Sequence, residues 1–223
     1  MSVEFALRHT IESVCSNTAN YATERDFQVA LAAALGGADR ELLMTFDHPP
    51  IPAQRPSAED VAFCAERNKT LVPEGKDPCD GRSRKLDILW NDVPIELKSA
   101  TKVKADVCGY LFLKDIHRLE RLSSVAIGAA VADTRFAVYV SSDPDLWSRK
   151  WSKAPDIRDG RVLEPGHWVQ YEQQSPRTRW FDYPPFYLAG RYKLNWMPLS
   201  DGAKYLLVPV RKQVRKNKLT LER

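Results

Sequence analysis

Between Lys85 and Lys98 the chain reads Lys-Leu-Asp-Ile-Leu-Trp-Asn-Asp-Val-Pro-Ile-Glu-Leu-Lys. Two strand-like runs, 84–90 and 93–99, flank Asn91-Asp92, a pair suited to a two-residue hairpin turn. Such a turn sets the register: Trp90 pairs with Val93, which places Asp87 opposite Glu96 and Lys85 opposite Lys98. Side chains alternate, so Leu86, Ile88, Trp90, Val93, Ile95 and Leu97 share an apolar face, and Lys85, Asp87, Leu89, Pro94, Glu96 and Lys98 share the other. Directly opposed Cβ atoms lie about 4.5–5.5 Å apart, close enough for two carboxylates to share one cation. Like charges facing each other twice destabilise a bare sheet, and a hard divalent cation such as magnesium, which takes oxygen ligands, removes that repulsion. The competing reading is a solvated face on which diagonal lysine–acid pairs neutralise one another.

The elements that must position these residues follow from periodicity. Residues 3–15 read as an amphipathic helix with Phe5, Ile11 and Val14 among its apolar positions. A second helix opens with Thr23 and Asp26 as a capping pair, places Phe27, Leu31 and Leu35 on one side, and stops at Gly36-Gly37. Glu24 lies in its first turn, where an acid also complements the helix dipole. Residues 41–46 read as a strand, the proline-rich 48–56 as a loop, 57–68 as a short helix and 73–83 as an irregular connection. A helix is expected over 110–122, with Phe112, Ile116 and Leu119 inward and Lys114, Arg118 and Arg121 as a basic outer stripe. His117 near that stripe reads as an ordinary surface histidine. Residues 135–140 alternate as a strand, and 168–171, 187–196 and 205–210 are further strand candidates. The expectation is an α/β core around a mixed sheet over 1–145 and a β-rich C-terminal appendage over 146–223.

Composition bounds the class. At 223 residues, 43% hydrophobic and 28% charged, the chain can bury a core and is neither disordered nor fibrous. Its longest apolar run, 125–132, is far below the roughly 20 residues of a membrane span. Glu4, Arg8 and Glu12 leave no apolar leader core, so the cytoplasm is expected. Cys15, Cys64, Cys79 and Cys108 form no Cys-x-x-Cys pair and read as unpaired thiols in a reducing compartment. Residues 203–223 carry seven Lys or Arg against one acid, a basic tail suited to a phosphate-bearing partner or simply solvated. Arg177, Arg179, Trp180, Arg191, Tyr192 and Trp196 interleave cations with aromatics, as a nucleic-acid surface or the core of a small β-subdomain would.

At Asp87, Glu96, Leu97 and Lys98 the chain resembles the PD-(D/E)XK nuclease superfamily, the restriction-endonuclease-like fold. An Asp and an apolar-flanked Glu-x-Lys lie on adjacent strands, and the order helix, strand, hairpin, helix, strand over 20–145 is that of the family core. Leu86 stands where the motif's name has proline, and the helix after the hairpin lacks the Gln-x-x-x-Tyr of some exonuclease branches. The resemblance implies a magnesium-dependent nuclease, with manganese as a substitute. Asp87, Glu96 and the Leu97 carbonyl would hold the metal. Lys98 would orient the water or stabilise developing charge, and Glu24 would bind a second metal or its water. The implied partner is nucleic acid, DNA before RNA, bordered by Lys114, Arg118 and Arg121, with no membrane and with a homodimer left open. The alternative is a nucleic-acid-binding module that keeps the fold without turnover.

Overall fold

A computed structural model describes residues 2–36, 42–46, 62, 85–100, 105–125, 131–148, 155–169, 171 and 186–212. The Ser2 hydroxyl caps helix α1 (Val3–Val14), accepting from Phe5 N at 3.2 Å. Leu7, Ile11 and Val14 form its buried stripe. Phe5, expected there, is 59% exposed, because it lies two residues, more than half a turn, from Leu7. After a 3-10 turn (Thr18–Tyr21), helix α2 (Glu24–Ala34) starts as expected, with Thr23 Oγ1 accepting from Asp26 N at 3.1 Å. Phe27 and Leu31 are buried, and α2 ends where Gly36 adopts φ +64°.

Strand β1 (Leu42–Phe46) pairs antiparallel with the short β2 (Lys85–Leu86) and with β5 (Leu122–Val125). β3 (Ile88–Trp90) and β4 (Val93–Ala100) form the expected hairpin, with Trp90 paired to Val93 and Asn91 at φ 56° in the turn. Helix α3 (Ala105–Arg121) begins five residues earlier than its periodicity indicates, and β5 follows it directly. It carries the chain across to β6 (Thr134–Ser141), which lies parallel to β4.

The C-terminal part is not an appendage on a finished core. Beyond the short α4 (Asp145–Ser148), the strands β7 (Arg161–Leu163), β8 (His167–Val169), β9 (Phe186–Leu188), β10 (Tyr192–Leu194) and β11 (Trp196–Pro198) lead to β12 (Lys204–Arg211). β12 pairs with β6 along its whole length, so the five-stranded mixed sheet runs β11-β12-β6-β4-β3 and the expected division after residue 145 does not separate two sheets. Among the described residues, the pairs β7–β10 and β8–β9 form small two-stranded sheets outside it, as does the three-stranded β2-β1-β5.

Two apolar clusters sandwich the sheet in an α/β architecture. On one side α1 and α2 pack on Ile88, Val93, Ile95, Leu97, Phe136 and Val138. On the other, α3 packs on Ala137, Tyr139, Leu206 and Val208 together with β7–β10. Alternation along β4 therefore turns Ile95 and Leu97 toward α1 and α2, and Glu96 and Lys98 toward α3. Among the described residues no helix is long and apolar enough to cross a membrane. Cys15 and Cys108 are buried and form no disulfide among the described residues, while Cys64, Cys79, the proline-rich loop 48–56 and nearly all of the expected helix 57–68 lie outside the described residues.

Candidate active site

The hairpin keeps its register only as far as Ile88 with Ile95. At Asp87 the chain leaves β4, and Leu86 and Lys85 pair with Leu42 and Leu43 of β1, so Lys85 does not face Lys98. The break also turns Leu86 into the α3 cluster and Ile88 into the α1–α2 cluster, whereas an unbroken strand would put both on one face. Asp87 is thus not a ladder partner of Glu96. Its Oδ2 accepts from Leu97 N at 2.7 Å, replacing the backbone acceptor that β3 no longer supplies. Leu97 directs its carbonyl toward the same gap, since a strand residue presents N–H and C=O on one side. Gln28 of α2, oriented by Arg25 (3.1 Å), donates from Nε2 to the Asp87 carbonyl at 2.7 Å and pins the break.

Around this break the fold gathers four carboxylates and two cations. Lys98 Nζ donates to Glu24 Oε1 and Oε2 at 3.2 and 3.1 Å and makes an ionic contact with Asp115 Oδ2 at 3.4 Å. Arg118 Nη1 donates to Asp115 Oδ1 at 3.0 Å and to Glu96 Oε2 at 3.3 Å. Glu24 is the exposed member, with 44% of its side chain accessible, and Glu96 is the deepest. Glu96 Oε1 is buried with no hydrogen-bond partner among the described residues.

Burial decides the protonation of Asp87 and Glu96. Desolvation pushes the Asp87 carboxyl up to about 6, against the Leu97 N–H and Lys98, with Asp115 and Glu24 adding to the rise. Glu96 is raised well above the ordinary carboxylate range by burial, which Arg118 opposes and Asp87 and Asp115 reinforce. For Lys98 the balance is reversed: burial alone would lower its pKa, but Asp115, Glu24, Asp87 and Glu96 together raise it. Lys98 is therefore an ammonium throughout the ordinary pH range.

The sequence expectations divide here. Glu24, Asp87, Glu96, Leu97 and Lys98 come together. Arg118, expected on an outer basic stripe, is inside the cluster, while Lys114 and Arg121 are half-buried on α3 and not on an open face. His117 is no surface residue: it is buried, stacks on Phe186 at 4.8 Å and lies 3.8 Å from Glu120. Tyr192 and Trp196 are core side chains whose polar atoms bond Glu120 (2.6 Å) and the Ile157 carbonyl (2.8 Å); Arg191 is exposed and paired with Glu164 (3.1 Å). Arg177, Arg179 and Trp180 lie outside the described residues. Asp115 and Gln28 are additions the sequence reading missed. Their signals were an Asp-x-x-Arg pair on α3 and a glutamine one turn after Glu24.

The donor set suits a hard divalent cation: every free ligand is oxygen, acids outnumber bases by two, and a buried Glu96 oxygen lacks a partner. The acids are not drawn round one point, however. Among the described residues no group of three or more His, Cys, Asp or Glu converges as a ready cage, because Lys98 and Arg118 stand between the carboxylates. In comparisons with known proteins no family model matches the chain, and neither does any curated protein or solved structure.

Proposed function

We propose that the chain is a magnesium-dependent phosphodiesterase that hydrolyses DNA, with manganese able to substitute. The observation that carries this reading is the position of Lys98, an ammonium among acids, two residues from the buried and half-satisfied Glu96. A restriction-endonuclease-like core belongs to the same proposal and is supported by the order α2, β1, the β3–β4 hairpin, α3 and β6. Asp87, Glu96 and the Leu97 carbonyl are the groups to hold the cation, which when bound supplies Lewis acidity toward the phosphodiester. Because the surrounding acids keep Lys98 charged, its role is to donate a hydrogen bond to the negative charge that develops on the phosphoryl oxygens, not to accept a proton. Glu24, at the exposed edge, holds Lys98 in place by two hydrogen bonds.

Supercoiled plasmid incubated with the pure protein, in magnesium and in chelator, tests this directly. Lys98→Ala is expected to lower turnover on the order of 10²-fold with little change in metal affinity, and Lys98→Arg, which keeps the charge, to recover part of it. A wild-type protein that binds DNA yet cuts neither DNA nor RNA with any divalent ion would put the non-catalytic binding module in place of the enzyme.

A further inference from the structure

Arg118 is held unequally. Its bond to Asp115 is the shorter, 3.0 against 3.3 Å, and joins two residues one turn apart on α3, whereas the bond to Glu96 crosses to β4. Only one oxygen of Glu96 receives it. A permanent buried ion pair is stable when the remaining lone pairs are also satisfied, and here they are not. Asp115 is at the same time the neighbour of Lys98, so it spaces both cations of the cluster.

We propose that Arg118 is a resident counter-ion, standing beside Glu96 where a divalent cation binds and released toward a phosphodiester oxygen when that cation arrives, with Asp115 as its positioning residue. The inference rests on the metal-dependent reading above and deepens it. A cation on Glu96 removes the charge that draws Arg118 to β4. The Asp115 tether remains because it is local to the helix. The freed guanidinium donors match a phosphate in the fork geometry that lysine lacks. Metal and arginine therefore compete in the free protein and cooperate once substrate is bound.

Calorimetric titration with manganese, thermal melts with and without it, and binding of a short DNA duplex in calcium separate the outcomes. Arg118→Gln removes the competitor, so it is expected to melt lower than wild type without metal, to gain more from manganese, and to bind manganese about tenfold tighter. It is also expected to lose about tenfold in calcium-dependent DNA affinity. Wild type that binds manganese while a folded Arg118→Gln binds it no tighter overturns the inference and leaves the metal reading standing. Absence of manganese binding in both proteins overturns both. If Arg118→Gln does not fold, Arg118→Lys decides: it is expected to keep manganese affinity within about threefold of wild type while DNA affinity in calcium falls several-fold. Unchanged DNA affinity in that variant overturns the inference.

Discussion

Glu96 on β4 and Glu120 on α3 are each 1% exposed, and the protein treats them in opposite ways. Glu120 accepts from Ala189 N, Gly190 N and Tyr192 OH at 2.6–3.0 Å, so both oxygens are satisfied and the carboxylate ties α3 to the turn between β9 and β10. Gly190 makes room in that turn: a Cβ there would press on the Tyr192 hydroxyl that bonds Glu120. Glu96 has one long bond to a shared arginine and one orphaned oxygen. Equal burial with unequal satisfaction separates an acid that holds the fold from the one to which the proposed function assigns a cation.

The largest effect that separates the two is on turnover. Glu96→Gln keeps shape and removes charge, and is expected to cost about 10³-fold or more in phosphodiester cleavage. Its metal-free stability should equal or exceed that of wild type, because a buried charge with an unmet oxygen is lost. Glu120→Ala strands three donors and should cost on the order of 4 kcal/mol in denaturant unfolding, with the folded fraction keeping wild-type specific activity. A stable Glu120→Ala, or a strongly destabilised metal-free Glu96→Gln, breaks the comparison.

The pH dependence comes next. Folding raises the Asp87 carboxyl from 3.8 to about 6, so between those values the folded protein holds a proton that the unfolded chain releases. Metal-free stability should therefore fall as pH rises through that window, by roughly 2 to 3 kcal/mol from this group. Glu96 acts in the same direction. Metal needs both acids ionised, so the manganese-induced rise in melting temperature should grow with pH through about 6. Melts from pH 4.5 to 8, with manganese and with chelator, check both slopes, and parallel curves would show that these acids bind no cation.

Local chemistry made much of this legible in the sequence. The Thr23 cap, the Asn91-Asp92 turn with its register near Trp90, and the strand run of β6 each depend on a few neighbouring residues. What escaped depends on distant partners. The break at Asp87 exists because β1, some forty residues earlier, takes Leu86 and Lys85 away from β4. Periodicity on α3 divided it into an apolar and a basic face, but the helix is covered by β7–β10 as well as by the sheet, so Asp115, His117 and Glu120 are buried too. The insertion of β12 beside β6 leaves no local sign, since an alternating strand reads the same at an edge, at a centre or in a separate sheet.

The smallest effect concerns the hinge of the site. Gln28 donates to the Asp87 carbonyl, and Leu97 N donates to the Asp87 carboxylate, so the backbone of the break and its charge are held by different groups. Gln28→Ala removes the first and leaves the second. One buried hydrogen bond to a neutral acceptor is worth about 1 kcal/mol, so unfolding should register a loss of that size. Asp87 would then sit on a looser backbone, and manganese affinity is expected to fall several-fold while the melting temperature of the metal-free protein drops only a few degrees. Glu120→Ala, compared in the same titration, should leave manganese affinity unchanged despite its larger loss of stability. If Gln28→Ala and Glu120→Ala instead weaken metal binding in proportion to the stability each loses, then metal affinity reports the general firmness of the fold. The break at Asp87 would then have no special part in it.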